Sequence, residues 1–201
     1  MIGIVDYGAG NLFSVKNALE YLQVSCLVSG DEKELARADG IILPGVGAFP
    51  DAMKMLEERG LTDVLKEEAR IKPLLGICLG MQVLFETGYE FKKTKGLGLL
   101  PGTVEKIQAP SLKIPHMGWN SLHVLNPCAM TEGLKDGSYV YFVHSYCAHT
   151  SEENISCYTE YGENIPALVH KGNVYGAQFH PEKSGSVGME LLKNFVRLTE
   201  G

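Results

Sequence analysis

Short apolar runs alternate with amphipathic stretches through the first 86 residues. Ile2–Val5, Asp39–Leu43 and Pro73–Ile77 have the length and composition of buried strands. The residues between them repeat apolar side chains at helical spacing, and Leu79–Glu86 has the same spacing after the third run. Strands that alternate with helices in this way predict βαβ units with parallel strands.

The second half of the chain has a different pattern. From Gly98 onward strand-like segments follow one another at short spacing, and Ile165–His170 and Val174–Phe179 flank a turn at Lys171–Asn173. A last helix is predicted from about Ser186 to Leu198. The predicted fold class is therefore α/β: an open, mixed and mostly parallel twisted sheet with helices on both faces, and with antiparallel strands in the C-terminal half.

Length and charge narrow the class of protein. With 201 residues, 45% of them hydrophobic, the chain is long enough for a substantial core, and we expect one domain over residues 1–201. The net charge is −6 and no basic block is present, which argues against nucleic-acid binding. No apolar run has membrane-spanning length and Met1–Asp6 lacks a signal-peptide pattern, so we expect a cytoplasmic protein without a membrane partner.

The cysteines fit a reducing compartment. Five are present, an odd number without a CxxC pair. This pattern argues against both a disulfide framework and a zinc site. We therefore expect free thiols, no metal ion and no cofactor.

Cys78 lies where a strand pattern changes to a helix pattern, within Gly76-Ile77-Cys78-Leu79-Gly80. A nucleophile on such a sharp turn has a strained backbone, and glycines two residues before and after it relieve the crowding. A helix that begins after Cys78 directs its first N–H groups at the sulfur and favours the thiolate, which is the attacking form. Cys78 is the candidate nucleophile.

The tripeptide His180-Pro181-Glu182 supplies the groups that a nucleophilic cysteine needs. Pro181 restricts His180 to extended backbone, in which residues two apart project from the same face. Glu182 is then placed to hold the imidazole in one tautomer. Cys78, His180 and Glu182 together predict a catalytic triad for chemistry at an acyl carbon.

A third segment offers a place for developing negative charge. The strand at Asp39–Leu43 leads into Pro44–Gly47, a tight turn expected at the same sheet edge as the elbow. Backbone N–H groups of Val46 or Gly47, together with that of Leu79, are predicted to form an oxyanion hole.

These residues resemble the class I glutamine amidotransferases, whose members carry a G-x-C-x-G elbow and a late His-Pro-Glu. Further segments narrow the resemblance to one branch, the glutaminase subunits of imidazole glycerol phosphate synthases. The matching segments are Pro44–Phe49, Gly76–Phe85, Pro115–Asn120, Tyr141–Tyr146 and Gln178–Ser184. The resemblance extends from Asp6 to about Ser184, and Pro115–Asn120 in combination with the other segments is specific to this branch.

The resemblance implies a reaction and a partner. Cys78 attacks the side-chain amide of L-glutamine, His180 protonates the departing ammonia, and water then hydrolyses the γ-glutamyl thioester to glutamate. In the family the ammonia passes to a (β/α)8-barrel synthase (cyclase) subunit, the other half of a heterodimer. That subunit forms imidazole glycerol phosphate and an aminoimidazole carboxamide ribonucleotide in histidine biosynthesis.

The resemblance also assigns residues outside the triad. Gln82, one helical turn after Cys78, is expected to bind glutamine together with Gly45, Ser145 and Tyr146. The peptide bond between Gly45 and Val46 is expected to turn its N–H toward the oxyanion only on docking. The residues expected at the interface with the synthase subunit are Asn11, Trp119, Tyr141 and Lys183.

Two other classes of protein stay open on the sequence alone. One is another glutaminase subunit or a free-standing thiol hydrolase of the same fold, such as a γ-glutamyl hydrolase or the glutaminase of vitamin B6 synthesis. Those relatives lack the Pro115–Asn120 segment. The other is a partner-binding or thiol-sensing protein with a reactive Cys78. An intact His180-Pro181-Glu182 weighs against a sensor, because a sensor has no need of an oriented base.

Overall fold

A computed structural model describes residues 1–200 of the chain. The strands are β1 (Ile2–Val5), β2 (Cys26–Ser29), β3 (Gly40–Gly45), β4 (Leu74–Cys78), β5 (Phe85–Gly88), β6 (Thr94–Lys95), β7 (Leu100–Lys106), β8 (His116–Ser121), β9 (His123–Val124), β10 (Tyr139–His144), β11 (Tyr146–His149), β12 (Ile155–Glu160), β13 (Asn164–Lys171) and β14 (Val174–Ala177). The helices are α1 (Leu12–Tyr21), α2 (Glu32–Ala36), α3 (Phe49–Glu58), α4 (Leu61–Ile71), α5 (Leu79–Gln82) and α6 (Gly185–Leu198).

The main sheet has eight strands in the order β2-β1-β3-β4-β14-β13-β12-β9. The pairs from β2 to β14 are parallel. The pairs from β14 to β9 are antiparallel. The predicted α/β class is confirmed: the strands of the N-terminal βαβ units pair in parallel with one another, β14 from the C-terminal half joins them in parallel, and the remaining pairs are antiparallel. The single domain stays a prediction.

Two smaller sheets accompany the main one. β8 and β10 form an antiparallel pair, and β11, β7, β5 and β6 form a four-stranded sheet in that order. The sequence predicted antiparallel strands in this half of the chain but did not divide them among sheets. The alternation of apolar and polar side chains reports which face of a strand is buried and not which strand it pairs with.

Helices cover both faces of the main sheet. Buried side chains of α3 and α4 belong to one core, and those of α1 and α6 belong to another. In β3, Ile41 and Leu43 face the first core while Ile42 faces the second. A strand buried on both faces has a continuous apolar run, which is why the central strands were recognisable in the sequence.

The helix predicted over Leu79–Glu86 is wrong in its second half. α5 ends at Gln82, and Phe85 begins β5, which pairs in parallel with β7. Met81, Val83, Leu84 and Phe85 are all fully buried. Where every residue of a short segment is buried, no face is polar, and apolar spacing cannot separate a helix from a strand.

The fold brings the candidate segments to one sheet edge. β3 and β4 are parallel neighbours that end at the Pro44–Gly47 turn and at Cys78, and β14 leads from the adjacent position toward His180. Open α/β sheets place their binding sites beyond the carboxyl ends of the strands. Within residues 1–200, no helix combines the length and the apolar character that crossing a membrane requires.

Candidate active site

Cys78 ends β4 with a φ of 55° and a ψ of −113°. This is a backbone conformation that residues with a side chain rarely adopt, and the surrounding structure must hold it in place. A Cβ atom on Gly76 would lie 2.5 Å from the carbonyl oxygen of Gly80, and a Cβ atom on Gly80 would overlap the carbonyl oxygen of Leu43. Gly76 therefore allows the elbow to close tightly on itself, and Gly80 allows it to pack directly on β3.

His180 and Glu182 form a buried pair beside the elbow. His180 Nδ1 lies 2.8 Å from Glu182 Oε1, and the two side chains are 2% and 1% exposed. His180 Nε2 is also buried, and it has no hydrogen-bond partner among residues 1–200. His180 and Cys78 line the same cavity of about 360 Å³, called here the Cys78 cavity. The structure thus brings the three predicted triad residues together.

The sulfur of Cys78 has two polar neighbours. The thiol donates to the carbonyl oxygen of Val143 at 3.8 Å, and the Gln178 side-chain amide donates to the sulfur at 3.9 Å. Val143 belongs to β10, and Gln178 directly follows β14. The sulfur is therefore enclosed by two segments that lie far from it in the sequence.

The charge state of His180 suits acid–base chemistry. Burial lowers the pKa of His180, but the neighbouring Cys78 and Glu182 together outweigh burial and raise that pKa to about 9. The imidazole therefore holds its second proton at neutral pH. An imidazolium beside a cysteine stabilises the thiolate, and it is also the form that gives a proton to a leaving group.

The turn after β3 lies against Cys78. Gly45 pairs with Cys78 in the register of β3 and β4. A Cβ atom on Gly45 would lie 2.5 Å from a backbone nitrogen of the elbow, so this close approach requires glycine. Val46, Gly47 and Leu79, the predicted oxyanion-hole residues, all line the Cys78 cavity. Gly47 has a φ of 103° with open space around it, so a substitution there strains the backbone without a clash.

Gln82, Ser145 and Tyr146 also lie in the wall of the Cys78 cavity. Gln82 is 5% exposed, and its Nε2 donates to the Tyr146 carbonyl oxygen at 2.9 Å and to Gln178 Oε1 at 3.0 Å. Both amide hydrogens of Gln82 are therefore used inside the protein. Its Oε1 oxygen is the atom that the amide offers to a ligand.

Glu90 is a cavity residue that the sequence did not single out. Glu90 lines the cavity, its Oε2 accepts the Phe49 N–H at 2.8 Å, and burial raises the pKa of its carboxyl group. It lies between β5 and β6 in a segment without a motif, so no pattern marked it. His144 and Gln178 fall inside segments that resemble the family, but only distances reveal their neighbours.

Three of the four expected interface residues lie together on the surface. Trp119 of β8 and Tyr141 of β10 are register partners, with ring centroids 6.2 Å apart. The Tyr141 carbonyl accepts the His180 N–H at 3.0 Å, and the Tyr141 N–H donates to Ser184 Oγ at 3.0 Å. Lys183 is exposed on the same turn. This surface is therefore joined directly to the backbone of His180.

Asn11 has a structural role of its own. Its Oδ1 accepts the Ser14 N–H at 3.2 Å and caps the N-terminus of α1. Helix α1 in turn contacts the turn at Pro181–Lys183. Asn11 is half-buried, and its amide nitrogen is the atom that remains for a partner.

One group within residues 1–200 has the ligand types that hold a metal ion. Ligand atoms of Cys147, His149 and Glu163 lie within 4.8 Å of one another. Their present partners are each other and the Gln108 N–H, which donates to Glu163 Oε1 at 2.6 Å. Burial raises the pKa of the Cys147 thiol. Cysteine spacing gave no sign of this group, because two of its members are not cysteines. Cys147 and His149 lie on β11, whereas Glu163 lies in the turn between β12 and β13. The group lies outside the set of residues that line the Cys78 cavity.

Comparison with known proteins identifies relatives along the whole chain. The sequence profile of the family "Glutamine amidotransferase class-I" matches residues 3–198. The protein named imidazole glycerol phosphate synthase subunit HisH of Bacillus cereus (strain ATCC 14579) is 56% identical over 201 residues, which are 100% of this chain and 96% of that protein. A protein of the same name from Bacillus thuringiensis (strain Al Hakam) is 54% identical with the same coverage.

A similar fold occurs among solved structures. A crystal structure described as a glutamine amidotransferase has a TM-score of 0.78 to this chain and 22% sequence identity, and the match covers 100% of this chain and 99% of the other. At that identity the likeness concerns the fold alone.

Proposed function

This chain belongs to the class-I glutamine amidotransferase family, and from that membership we propose that it hydrolyses L-glutamine to glutamate and ammonia and supplies the ammonia to a synthase subunit. Its relatives at 54–56% identity are named as subunits of imidazole glycerol phosphate synthase, so the proposed pathway is histidine biosynthesis. The observation that carries the proposal is the buried His180–Glu182 pair, whose free Nε2 shares a cavity with Cys78 on a strained elbow.

The first half of the reaction forms a thioester. The Cys78 thiolate attacks the side-chain amide carbon of glutamine, and the carbonyl π electrons move onto the oxygen. The protonated His180 gives its proton to the amide nitrogen, the C–N bond breaks and ammonia leaves. Backbone N–H groups at Val46, Gly47 and Leu79 stabilise the oxyanion, and one such donor typically contributes about 2.7–4 kcal/mol.

The second half regenerates the enzyme. Neutral His180 takes a proton from water, and the hydroxide attacks the thioester carbon. The C–S bond then breaks, glutamate leaves, and the thiolate of Cys78 returns beside an imidazolium. Glu182 keeps a hydrogen on Nδ1 through the 2.8 Å contact, so Nε2 is the nitrogen that gives a proton in the first half and takes one in the second.

The cavity recognises an amino acid by its charge. Glu90 uses one carboxylate oxygen on the Phe49 N–H, and its carboxylate pairs with the α-ammonium group of glutamine. Gln82 adds an acceptor oxygen, because both of its amide hydrogens are already used. These acceptors favour an amide substrate that also carries a positively charged group, as glutamine does with its α-ammonium group.

An exposed apolar surface fits the proposed partner. Met117, Trp119 and Tyr139 are 62%, 55% and 59% exposed, and together they form what is called here the docking face. Met117 is the register partner of Val143, whose carbonyl contacts the Cys78 thiol. Exposed apolar patches of this kind mark protein contacts. The partner proposed is the other subunit of the synthase, a (β/α)8 barrel according to the resemblance.

Labelling of the nucleophile tests this proposal against a thiol sensor. A diazo-ketone analogue of glutamine is expected to alkylate Cys78 much faster than a simple haloacetamide does at equal concentration, and L-glutamine is expected to protect. Peptide mapping identifies the labelled cysteine, with Cys78→Ala as the control. Equal rates for the two reagents without protection by glutamine would support a sensor instead.

A further inference from the structure

A chain of hydrogen bonds joins β8 to the wall of the Cys78 cavity. Asn120 Nδ2 lies 3.2 Å from His116 Nε2, and His116 Nδ1 lies 2.9 Å from His144 Nε2. His144 Nδ1 then lies 2.8 Å from the carbonyl oxygen of Tyr146. His116 and His144 are 2% and 6% exposed. Both imidazoles therefore depend on these partners rather than on water.

The direction of every bond in this chain is fixed by one end. The Tyr146 carbonyl oxygen only accepts, so His144 Nδ1 carries the hydrogen and His144 Nε2 accepts. His116 Nδ1 must then donate to His144, and His116 Nε2 accepts from the amide of Asn120. This arrangement requires neutral rings, and burial lowers the pKa values of His116 and His144 to about 4 and about 3.

The ring of His116 is also held by stacking. It lies between the rings of Phe142 and Tyr161, with centroids 4.7 Å and 4.0 Å away. A ring clamped on both faces keeps its nitrogens in the plane of the chain, so its hydrogen cannot be redirected by rotation of the side chain.

The chain ends on the residue that orients the cavity amide. The Tyr146 carbonyl accepts both from His144 Nδ1 and from Gln82 Nε2, which uses both of its lone pairs. Gln82 Nε2 gives its other hydrogen to Gln178 Oε1, and Gln178 Nε2 donates to the sulfur of Cys78. One continuous network therefore runs from the strand of the docking face to the nucleophile.

We propose that His116 and His144 are positioning residues, which hold the Tyr146 carbonyl where it turns Gln82 Oε1 toward the substrate. They set the affinity for glutamine and not the chemistry at Cys78. His116 and Asn120 lie on β8 with Trp119. A partner bound to the docking face therefore acts on the strand that carries the first hydrogen bond of this network, the one between Asn120 and His116. This inference rests on the proposed glutaminase function.

Two substitutions at His144 separate its two ring nitrogens. Asparagine carries its amide nitrogen near the position of Nδ1, so His144→Asn keeps a donor for the Tyr146 carbonyl. Glutamine carries its amide near the position of Nε2, so His144→Gln loses that donor although it is also a polar side chain of similar size. The measurement is kcat and KM for glutamine hydrolysis by the complex with the synthase subunit and its nucleotide.

The expected result is a difference in KM. His144→Gln should raise KM for glutamine about tenfold, which corresponds to about 1.4 kcal/mol, with kcat changed by less than about threefold. His144→Asn should stay within about threefold of the unsubstituted protein in both constants. His170→Gln is the matched control, since His170 lies on β13 of the main sheet and its Nε2 has a hydrogen-bond contact only with the Gly172 carbonyl, at 3.1 Å, and its constants should not change.

Equal KM values for the two His144 variants would overturn the inference, as would a loss of kcat without a change in KM. If a His144 variant does not fold, His116 gives the same test, because His116→Asn keeps the donor toward His144 and His116→Gln loses it. The same order of KM values is expected, and equal values would again overturn the inference. An unsubstituted complex without any glutamine hydrolysis would instead sink the proposed function.

Discussion

The strained backbone at Cys78 requires that residue 80 has no Cβ atom. Gly80→Ala places a Cβ atom inside the contact distance of the Leu43 carbonyl oxygen, so either β3 or the elbow must move. We expect a loss of about 1–3 kcal/mol in the free energy of unfolding, as for overpacked cores, together with loss of glutamine hydrolysis. Urea unfolding and glutamate release measure the two effects.

A glycine in another turn provides the control for this variant. Gly172 has a φ of 58° and nothing within 4 Å of an added Cβ atom. Gly172→Ala should lose about 1–2 kcal/mol from backbone strain and keep full activity. Retained activity in Gly80→Ala would show that the elbow does not need this packing.

The pH profile at high pH reports on Glu182. Interaction with Cys78 and Glu182 raises the pKa of His180 to about 9, and in the proposed reaction the departing ammonia takes its proton from His180. The rate should therefore fall as the pH rises through about 9. Glu182→Gln removes one of the groups that raise this pKa, so the alkaline limb of kcat/KM should move to lower pH. An unshifted limb in that variant would contradict the assignment.

At the residue scale, the sequence predicts the chemical role of a residue better than it predicts which residues that residue contacts. Glycines two residues on each side of Cys78 and a Pro between His180 and Glu182 are local signals, because the geometry they impose spans only a few residues. Glu90 has no such signal, since only the fold brings it to the cavity that Cys78 also lines. The roles of the triad, the oxyanion hole and the cavity residues stay predictions until they are tested by substitution.

The antiparallel pair of β8 and β10 buries two histidines that are neutral when folded. Burial lowers the pKa of His116 to about 4, and burial is also the main cause that lowers the pKa of His144 to about 3. The unfolded chain takes up protons below about pH 6.5, where the folded chain does not. The free energy of unfolding should therefore fall from pH 7 to pH 5, by up to about 1.4 kcal/mol per pH unit for each ring.

Variants that remove one ring test this slope. His116→Asn and His144→Asn should each lower the pH dependence between pH 7 and pH 5, as measured by urea unfolding at several pH values. An unchanged slope in both variants would mean that neither ring stays neutral in the folded protein.

At the scale of elements, the spacing of apolar side chains identified those helices and strands that have one polar face or that are bounded by clear turns. α6, β13 and β14 lie within a few residues of their predicted positions. The segment after Cys78 has no polar face, and its change from helix to strand depends on the pairing of β5 with β7. The division into three sheets likewise depends on contacts between distant strands, which alternation along one strand does not encode.

For the whole molecule, the surface around Lys183 should matter only when the partner is present. Lys183 is exposed, whereas Glu182 next to it is buried and contacts His180. Lys183→Ala should leave the thermal midpoint unchanged and raise the concentration of synthase subunit needed for half-maximal stimulation about tenfold, or about 1.4 kcal/mol. Titration of the subunit in a glutaminase assay measures this value.

Lys193→Ala is the matched control for Lys183→Ala. Lys193 lies on α6 with its side chain 51% exposed, and its ion pair with Glu190 is 4.0 Å long, so its removal should cost little. Identical stimulation of the two variants would exclude Lys183 from the interface.

Glutamate release from L-glutamine tests the proposed activity most directly, measured for this chain alone and with the synthase subunit and its nucleotide, and with Cys78→Ala in parallel. We predict turnover that increases when the subunit and nucleotide are added and that is absent in Cys78→Ala. Turnover that survives in Cys78→Ala, or no turnover from the unsubstituted chain under either condition, would contradict a glutaminase built on Cys78.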